Sequence, residues 1–334
     1  MELWRKRVRN TCVGVLLLAL VLRLGGSGPV AASEELGYEA AAFLLYLQTG
    51  RTAGPEPTAQ TVPATEEPEP YVFPTAAPEE EPLSFSAGEA QSIEIKYGGE
   101  YRPDLGALLE APVELDFSGD DPRILIIHTH ATESYTQEPG WEYTASANYR
   151  TLDTGYNMIR VGDAMARVLE EAGISVIHDT TLNDYPSYNG SYDRTLQNIQ
   201  SYLEAYPSIQ MVIDVHRDAV ELSDGSQMAT DATVNGRHAA QVMLVMGTDE
   251  GGLYHPDWQE NLSWALKLQV QMERLYPGLA RPMSLCPERY NEHATKGSLL
   301  VEIGTAGDIL QKAIAAGEAF AQVLVSTIEG LGLK

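Results

Sequence analysis

The sequence predicts an α/β fold for residues 91–334: a mainly parallel sheet with helices on both faces, preceded by a membrane anchor and an extended linker. Three observations predict it. The runs Arg123 to Thr129, Met211 to Val215, Gln241 to Met246 and Ser298 to Ile303 are short and largely apolar, as strands covered on both faces are. Segments of helical spacing alternate with them, the order of strand–helix–strand units. The 244 residues of this part are enough chain for one large core.

Taken in order, the chain opens with Arg5, Lys6, Arg7 and Arg9 in a basic end, 1–10. Cys12 to Leu22 is apolar throughout, and Gly25 to Ala32 is rich in small residues. Eleven apolar residues fall short of the roughly 20 that span a bilayer and suit a signal-peptide core, with Val30-Ala31-Ala32 offering a cleavage site. With Arg23 snorkelling, residues 11–32 read instead as a membrane anchor. Either way the rest of the chain is exported, and the expected location is the cell membrane, single-pass, with the folded part outside. Within 33–50, Leu36, Ala40, Phe43, Leu44 and Leu47 are spaced as a short amphipathic helix. The linker, 51–90, contains the stretch Pro55 to Pro82, with eight Pro, seven Glu and no Lys or Arg, which stays extended and buries no core.

In the folded part, Ser92 to Tyr97 reads as an edge strand. Asn157 to Glu171 places Ile159, Val161, Met165, Val168 and Leu169 at helical spacing, closed by Gly173. Ser175 to His178 is a strand, Tyr192 to Tyr206 a helix stopped by Pro207, and Trp258 to Tyr276 a helix ending at Pro277-Gly278. Asp308 is expected to cap a last helix reaching about Leu331.

Charge narrows the function. Lys and Arg number 22 against 47 Asp and Glu, a net −25, which excludes a nucleic-acid binder relying on overall positive charge. Residues 91–334 alone carry 16 against 35, a net −19, and all seven histidines. The two cysteines, Cys12 and Cys286, make neither a disulfide framework nor a thiolate zinc site. Gly-x-Ser-x-Gly and the phosphate-binding Gly-x-x-x-x-Gly-Lys are both missing from the sequence.

Three polar motifs fall at the carboxyl ends of three expected strands, where such sheets bind ligands. They are His128 to Ser134, Asp214 to Asp218 and Leu300 to Gly304. Two imidazoles and a carboxylate suit zinc with an open fourth position. The spacing His130-x-x-Glu133 lets both side chains reach one ion, and His216 arrives from a neighbouring strand. Glu302 ends an apolar strand, where an unpaired carboxylate is costly, and a carboxylate beside zinc can take a proton from water. His128 and His130 alternate on a strand and so share a face. Either can be the ligand; the spacing favours His130, leaving His128 behind the ligands or against substrate. Arg217 can hold a carboxylate or an oxyanion. Taken singly, each motif also has a structural reading: Asp214, Arg217 and Asp218 can pair with one another, and His178, just past a strand, reads as structural. Tyrosines such as Tyr188, Tyr192 and Tyr290 can stack on sugar or peptide, or simply fill strands.

The run His128 to Tyr135 resembles the stage II sporulation protein P family. So do Asn157 to Gly162, His178 to Thr181, Tyr188 to Tyr192, Asp214 to Ala219 and Glu302 to Gly304, in the same order, over about residues 120–330. The resemblance implies the fold of the zinc N-acetylmuramoyl-L-alanine amidases, which cut the amide between the lactyl group of muramic acid and L-alanine. It implies a Zn2+ cofactor, an endopeptidase activity beside the amidase, and a role in septal wall thinning and engulfment. It implies peptidoglycan as substrate, with a SpoIID-like lytic transglycosylase and a SpoIIM-like membrane protein as partners. The general amidases take a ligand Glu from the start of the first helix; residues 154–157 hold none, so Glu133 takes that role. An expected Asn-Thr after Gly304 is replaced by Thr305-Ala306-Gly307-Asp308. A carboxypeptidase-like zinc peptidase and an inactive wall-binding scaffold are the alternatives.

Overall fold

The computed structural model describes residues 82–334. The basic end, the expected anchor at 11–32, the expected helix in 33–50 and residues 51–81 of the linker lie outside the described residues. Among the described residues, no helix is long and apolar enough to cross a membrane.

Seven strands form the main sheet: β1 (Ile95–Tyr97), β2 (Ile124–Ile127), β3 (Val176–His178), β4 (Met211–Asp218), β7 (Val242–Gly247), β8 (Met283–Cys286) and β9 (Leu299–Thr305), in the order β1-β8-β7-β9-β4-β2-β3. All neighbours in it run parallel except β7 and β9. The hairpin of β5 (Ala232–Val234) and β6 (Arg237–Ala239) stands apart. Five α-helices complete the described part: α1 (Leu105–Glu110), α2 (Met158–Glu171), α3 (Ser191–Ala205), α4 (Trp258–Leu275) and α5 (Leu310–Gly330).

Strand alternation divides the two faces. Ile124, Ile126, Met211, Ile213, Val215, Leu244, Val301 and Ile303 belong to the large core, with Val161 and Met165 of α2, Leu266 of α4 and Phe320 of α5. The intervening residues face the other way, where Leu125, Ile127 and Val212 pack on Ile199 of α3. Farther along that second face, Met243, Val245 and Leu300 form a third cluster with Tyr290 beside it. The face between these two smaller clusters carries Asp214, His216 and Glu302. A mainly parallel sheet covered on both faces is therefore the observed architecture.

The structure moves two strand ends and one helix cap from where the sequence puts them. The strand expected to end at Val215 runs on to Asp218, and the one expected to end at Ile303 reaches Thr305. His216, expected just past its strand, thus lies within it, on the sheet face beside Glu302. Asp308 does not cap the last helix, whose N-cap is Ile309 with no side-chain bond. Its carboxylate instead accepts from Thr230 N, Thr230 Oγ1 and Thr305 N at 2.8, 2.8 and 2.9 Å, clamping the end of β9 to the loop before β5.

Candidate active site

His216 and Glu302 are register partners on adjacent parallel strands, so both side chains project from the same face. The ladder shifts after this pair: two steps on β4, to Asp218, match three on β9, to Thr305. The irregularity falls at Gly304, whose φ of 68° is readily available only to glycine. This is the physical reason for glycine in the Glu302-Ile-Gly304 motif.

β2 ends at Ile127, and residues 129–132 form a turn closed by Glu133 N donating to His130 O at 3.0 Å. The turn separates the two histidines, so they do not share a face. His130 swings towards β4, with its ring centroid 5.1 Å from that of His216 and nearly perpendicular to it. His128 stays on the α2 side, fully buried. Its Nδ1 donates to the Val215 carbonyl at 2.9 Å, since a carbonyl only accepts. Its Nε2 lies 2.8 Å from His178 Nε2, and His178 Nδ1 lies 3.0 Å from Asp163. Burial, then the nearby His178, holds the His128 ring down at about 3.

This pair explains a glycine inside α2. A Cβ at Gly162 would lie 2.6 Å from His128 Nε2 and closer still to His178 Nε2. Gly162→Ala is expected to destabilise the protein by up to about 2 kcal/mol in urea unfolding. The clash costs about 1–3 kcal/mol, against the ~1 kcal/mol that Ala ordinarily gains over Gly in a helix. A more stable variant would show that the imidazole pair gives way freely.

Glu133 reaches the same region. Its Oε2 lies 3.7 Å from His216 Nδ1 and accepts from Arg217 N at 3.4 Å. Asp214 anchors the turn from below, accepting from Thr129 N at 2.8 Å and Thr129 Oγ1 at 2.5 Å. His216 Nε2 lies 2.9 Å from Asp214 Oδ1, a buried ion pair. Burial disfavours the charged His216 ring, yet Asp214, Glu133 and Glu302 together push it up to about 9. Burial, with the fields of Glu133 and Asp218, raises Glu302 to about 8 against the opposing pull of His216 and Arg217. Glu302 Oε2 is enclosed and has no hydrogen-bond partner. Burial, then the His216 charge, lowers His130 to about 3.

Arg217 is committed elsewhere. Its Nε donates to Ser134 O at 2.8 Å and one terminal nitrogen to Tyr149 O at 3.0 Å, and the residue is 6% exposed. It holds two loop carbonyls beside Glu133. Asp218 pairs with Arg281 at 2.8 Å.

The aromatic rim is continuous. The Tyr188 ring lies flat on His130, 4.4 Å between centroids and 14° between planes. Tyr192 is edge-on to His130 and stacks on His216 at 6.4 Å, and Tyr290 lies 5.8 Å beyond it. Tyr188 is 56% exposed, so the rim opens to solvent beside His130. The sequence reading did not single out Arg150 and Asp184, which support this rim. Their only signal is a charge in each of two loops without periodicity. Thr305 to Asp308 is pinned in its own way: a side chain at Gly307 would run into the carbonyls of Met228 and Gln227.

No three His, Cys, Asp or Glu side chains among the described residues are arranged as a metal cluster. The donor types nonetheless suit zinc: His130 and His216 face each other, Glu133 adjoins His216, and a buried oxygen of Glu302 lacks a hydrogen bond.

A family model described as Stage II sporulation protein P (SpoIIP) matches residues 56–325. The Stage II sporulation protein P of Bacillus subtilis (strain 168) is 29% identical over 217 residues, 62% of this chain. The chain spans about half the length of that curated relative, 51%. Among solved structures, the N-acetylmuramoyl-L-alanine amidase AmiC2 of Nostoc punctiforme is similar over 63% of this chain and 99% of its own, at 12% identity and a TM-score of 0.39. The apo form of the N-acetylmuramyl-L-alanine amidase Ami1 from Mycobacterium abscessus is similar over 63% and 98%, at 12% identity and a TM-score of 0.37.

Proposed function

The chain belongs to the stage II sporulation protein P family, and from that premise we propose that it is a zinc-dependent N-acetylmuramoyl-L-alanine amidase that hydrolyses peptidoglycan during sporulation. The observation that carries the reading is Glu302. It is a carboxylic acid raised to about 8, with an unpartnered buried oxygen, one strand away from His216. A structural carboxylate at that position has no physical reason to stay unpaired.

His130, Glu133 and His216 are the residues that would hold zinc, which when bound supplies Lewis acidity to the scissile carbonyl and to water. The chain's own residues do the rest. Glu302 accepts the proton of the attacking water and returns it to the leaving amine. Its low-dielectric surroundings keep its affinity for a proton near the working pH, as a general base and acid requires. Asp214 fixes Thr129 and so the turn that carries His130 and Glu133. Tyr188, exposed beside His130, offers a flat surface to the sugar or the stem peptide.

The setting is read from the sequence. Residues 11–32 act as a single-pass anchor in the cell membrane. The Pro/Glu linker, at about 3.1 Å per residue when extended, lets the catalytic part reach the wall. The partners are a SpoIID-like lytic transglycosylase and a SpoIIM-like membrane protein, and the process is septal wall thinning and engulfment.

Mass spectrometry of purified sacculi digested with the full chain tests the reaction. Intact stem peptides released from glycan that keeps free lactyl carboxyls are the expected products. Shortened stems on undenuded glycan would make the protein a zinc peptidase, and no soluble product from zinc-loaded protein would make it a scaffold.

A further inference from the structure

One guanidinium serves two of the residues assigned to zinc. Arg150 lies in a loop whose backbone is stitched to the ligand turn: Thr151 N donates to Thr132 O at 2.9 Å, and Ser134 N to Tyr149 O at 2.8 Å. Its side chain then forks. One terminal nitrogen donates to Glu133 Oε1 at 3.1 Å. The other donates to Asp184 Oδ2 at 2.6 Å and to Thr132 Oγ1 at 3.2 Å. Asp184 is itself locked, accepting from Thr132 N at 3.1 Å and from Thr132 Oγ1 at 2.6 Å. The guanidinium carbon also lies 5.1 Å from the centroid of Tyr188, the ring stacked on His130. The fork is well buried: the side chains of Arg150, Glu133 and Asp184 are 19%, 7% and 1% exposed.

We infer that Arg150 is a positioning residue for the metal site: it engages Glu133 Oε1 so that Oε2 alone is presented towards His216, and it backs Tyr188 against His130. The inference rests on the reading that Glu133 and His130 bind zinc. Planarity is what makes arginine suitable here. A rigid fork fixes the rotation of a carboxylate, whereas an ammonium group is a point charge that leaves it free to turn. Asp184 removes the freedom of the fork's other arm.

The sign of the effect separates positioning from competition. A cation beside a ligand carboxylate repels a metal ion and neutralises its ligand. If Arg150 only occupied Glu133, removing it would tighten zinc binding. If it orients Glu133, removing it weakens binding, by about 10–100-fold on the scale of other supports behind metal ligands.

The experiment is zinc titration of the purified full chain against a fluorescent chelator, with circular dichroism to check folding. Arg150→Met is expected to weaken zinc affinity about 10–100-fold, and Asp184→Asn to weaken it less. Combining the two is expected to add little to Arg150→Met alone, since Asp184 acts through Arg150. If Arg150→Met does not fold, Arg150→Lys keeps the charge without the fork and is expected to weaken zinc binding at least tenfold. Affinity equal to or tighter than native in the folded variant overturns the inference. Full additivity of Arg150→Met and Asp184→Asn removes the claimed route through Asp184. A native chain that takes up no zinc overturns the zinc reading itself, and this inference with it.

Discussion

Glu302→Gln is expected to keep the fold and its zinc while turnover on sacculi falls by roughly 10²–10⁴-fold, the usual reach of a general acid–base group. The amide is nearly isosteric and fills the same place on β9, so the core beneath, Val301 and Ile303, is undisturbed. What is lost is the proton affinity, which burial has raised to about 8 at this carboxyl. Zinc content by elemental mass spectrometry and release of stem peptides over time are the two measurements. Zinc lost from a folded variant would make Glu302 a ligand, and near-native turnover would take it out of the mechanism.

The second large effect separates the two histidines that a single turn sends in different directions. His130→Ala is expected to abolish zinc retention, because His130 is the imidazole that faces His216. His128→Ala is expected to keep most of the zinc and to lose activity only in part. Its cost falls on stability instead: the Val215 carbonyl loses its imidazole donor behind the strand that carries His216, and a buried polar group left unpaired costs about 1–3 kcal/mol. Zinc stoichiometry after dialysis, read beside urea unfolding, distinguishes the two. Retention in His130→Ala with loss in His128→Ala would reverse the assignment.

The strands and long helices were legible because burial leaves an apolar record. Ile124–Ile127 is buried at every position, and α2 repeats its apolar residues at helical spacing. The strand ends were not legible, for the opposite reason. His216, Arg217 and Asp218 extend β4 through polar residues, since that stretch is lined for chemistry and pairs with β9 by backbone alone. β8 is Met-Ser-Leu-Cys without a β-branched residue, between Pro282 and Pro287, and gives no propensity signal. The β5–β6 hairpin did carry one: Asn235-Gly236, with φ of 51° and 77°, is the preferred dipeptide for a two-residue hairpin turn. At the site, the His130-x-x-Glu133 spacing, with His216 and Glu302 at the ends of other expected strands, put the four residues into one group. Arg150 escaped because its acidic partners, Glu133 and Asp184, are 17 and 34 residues away along the chain.

The pairing of His216 with Glu302 across β4 and β9 has a mechanical consequence. Neighbouring strands sit about 4.8 Å apart, held by ladder hydrogen bonds that no side chain can stretch. That half of the site is a fixed jaw. His130 and Glu133 ride on a four-residue turn held in place from outside by Asp214, Asp184 and Arg150, and they form the adjustable jaw. A change in ion size is absorbed by the turn, while the distance between the proton-handling carboxyl and the strand-borne imidazole stays constant. Amide hydrogens along β4 and β9 should exchange last, and those of residues 130–134 earlier, with ion binding slowing exchange in the turn alone.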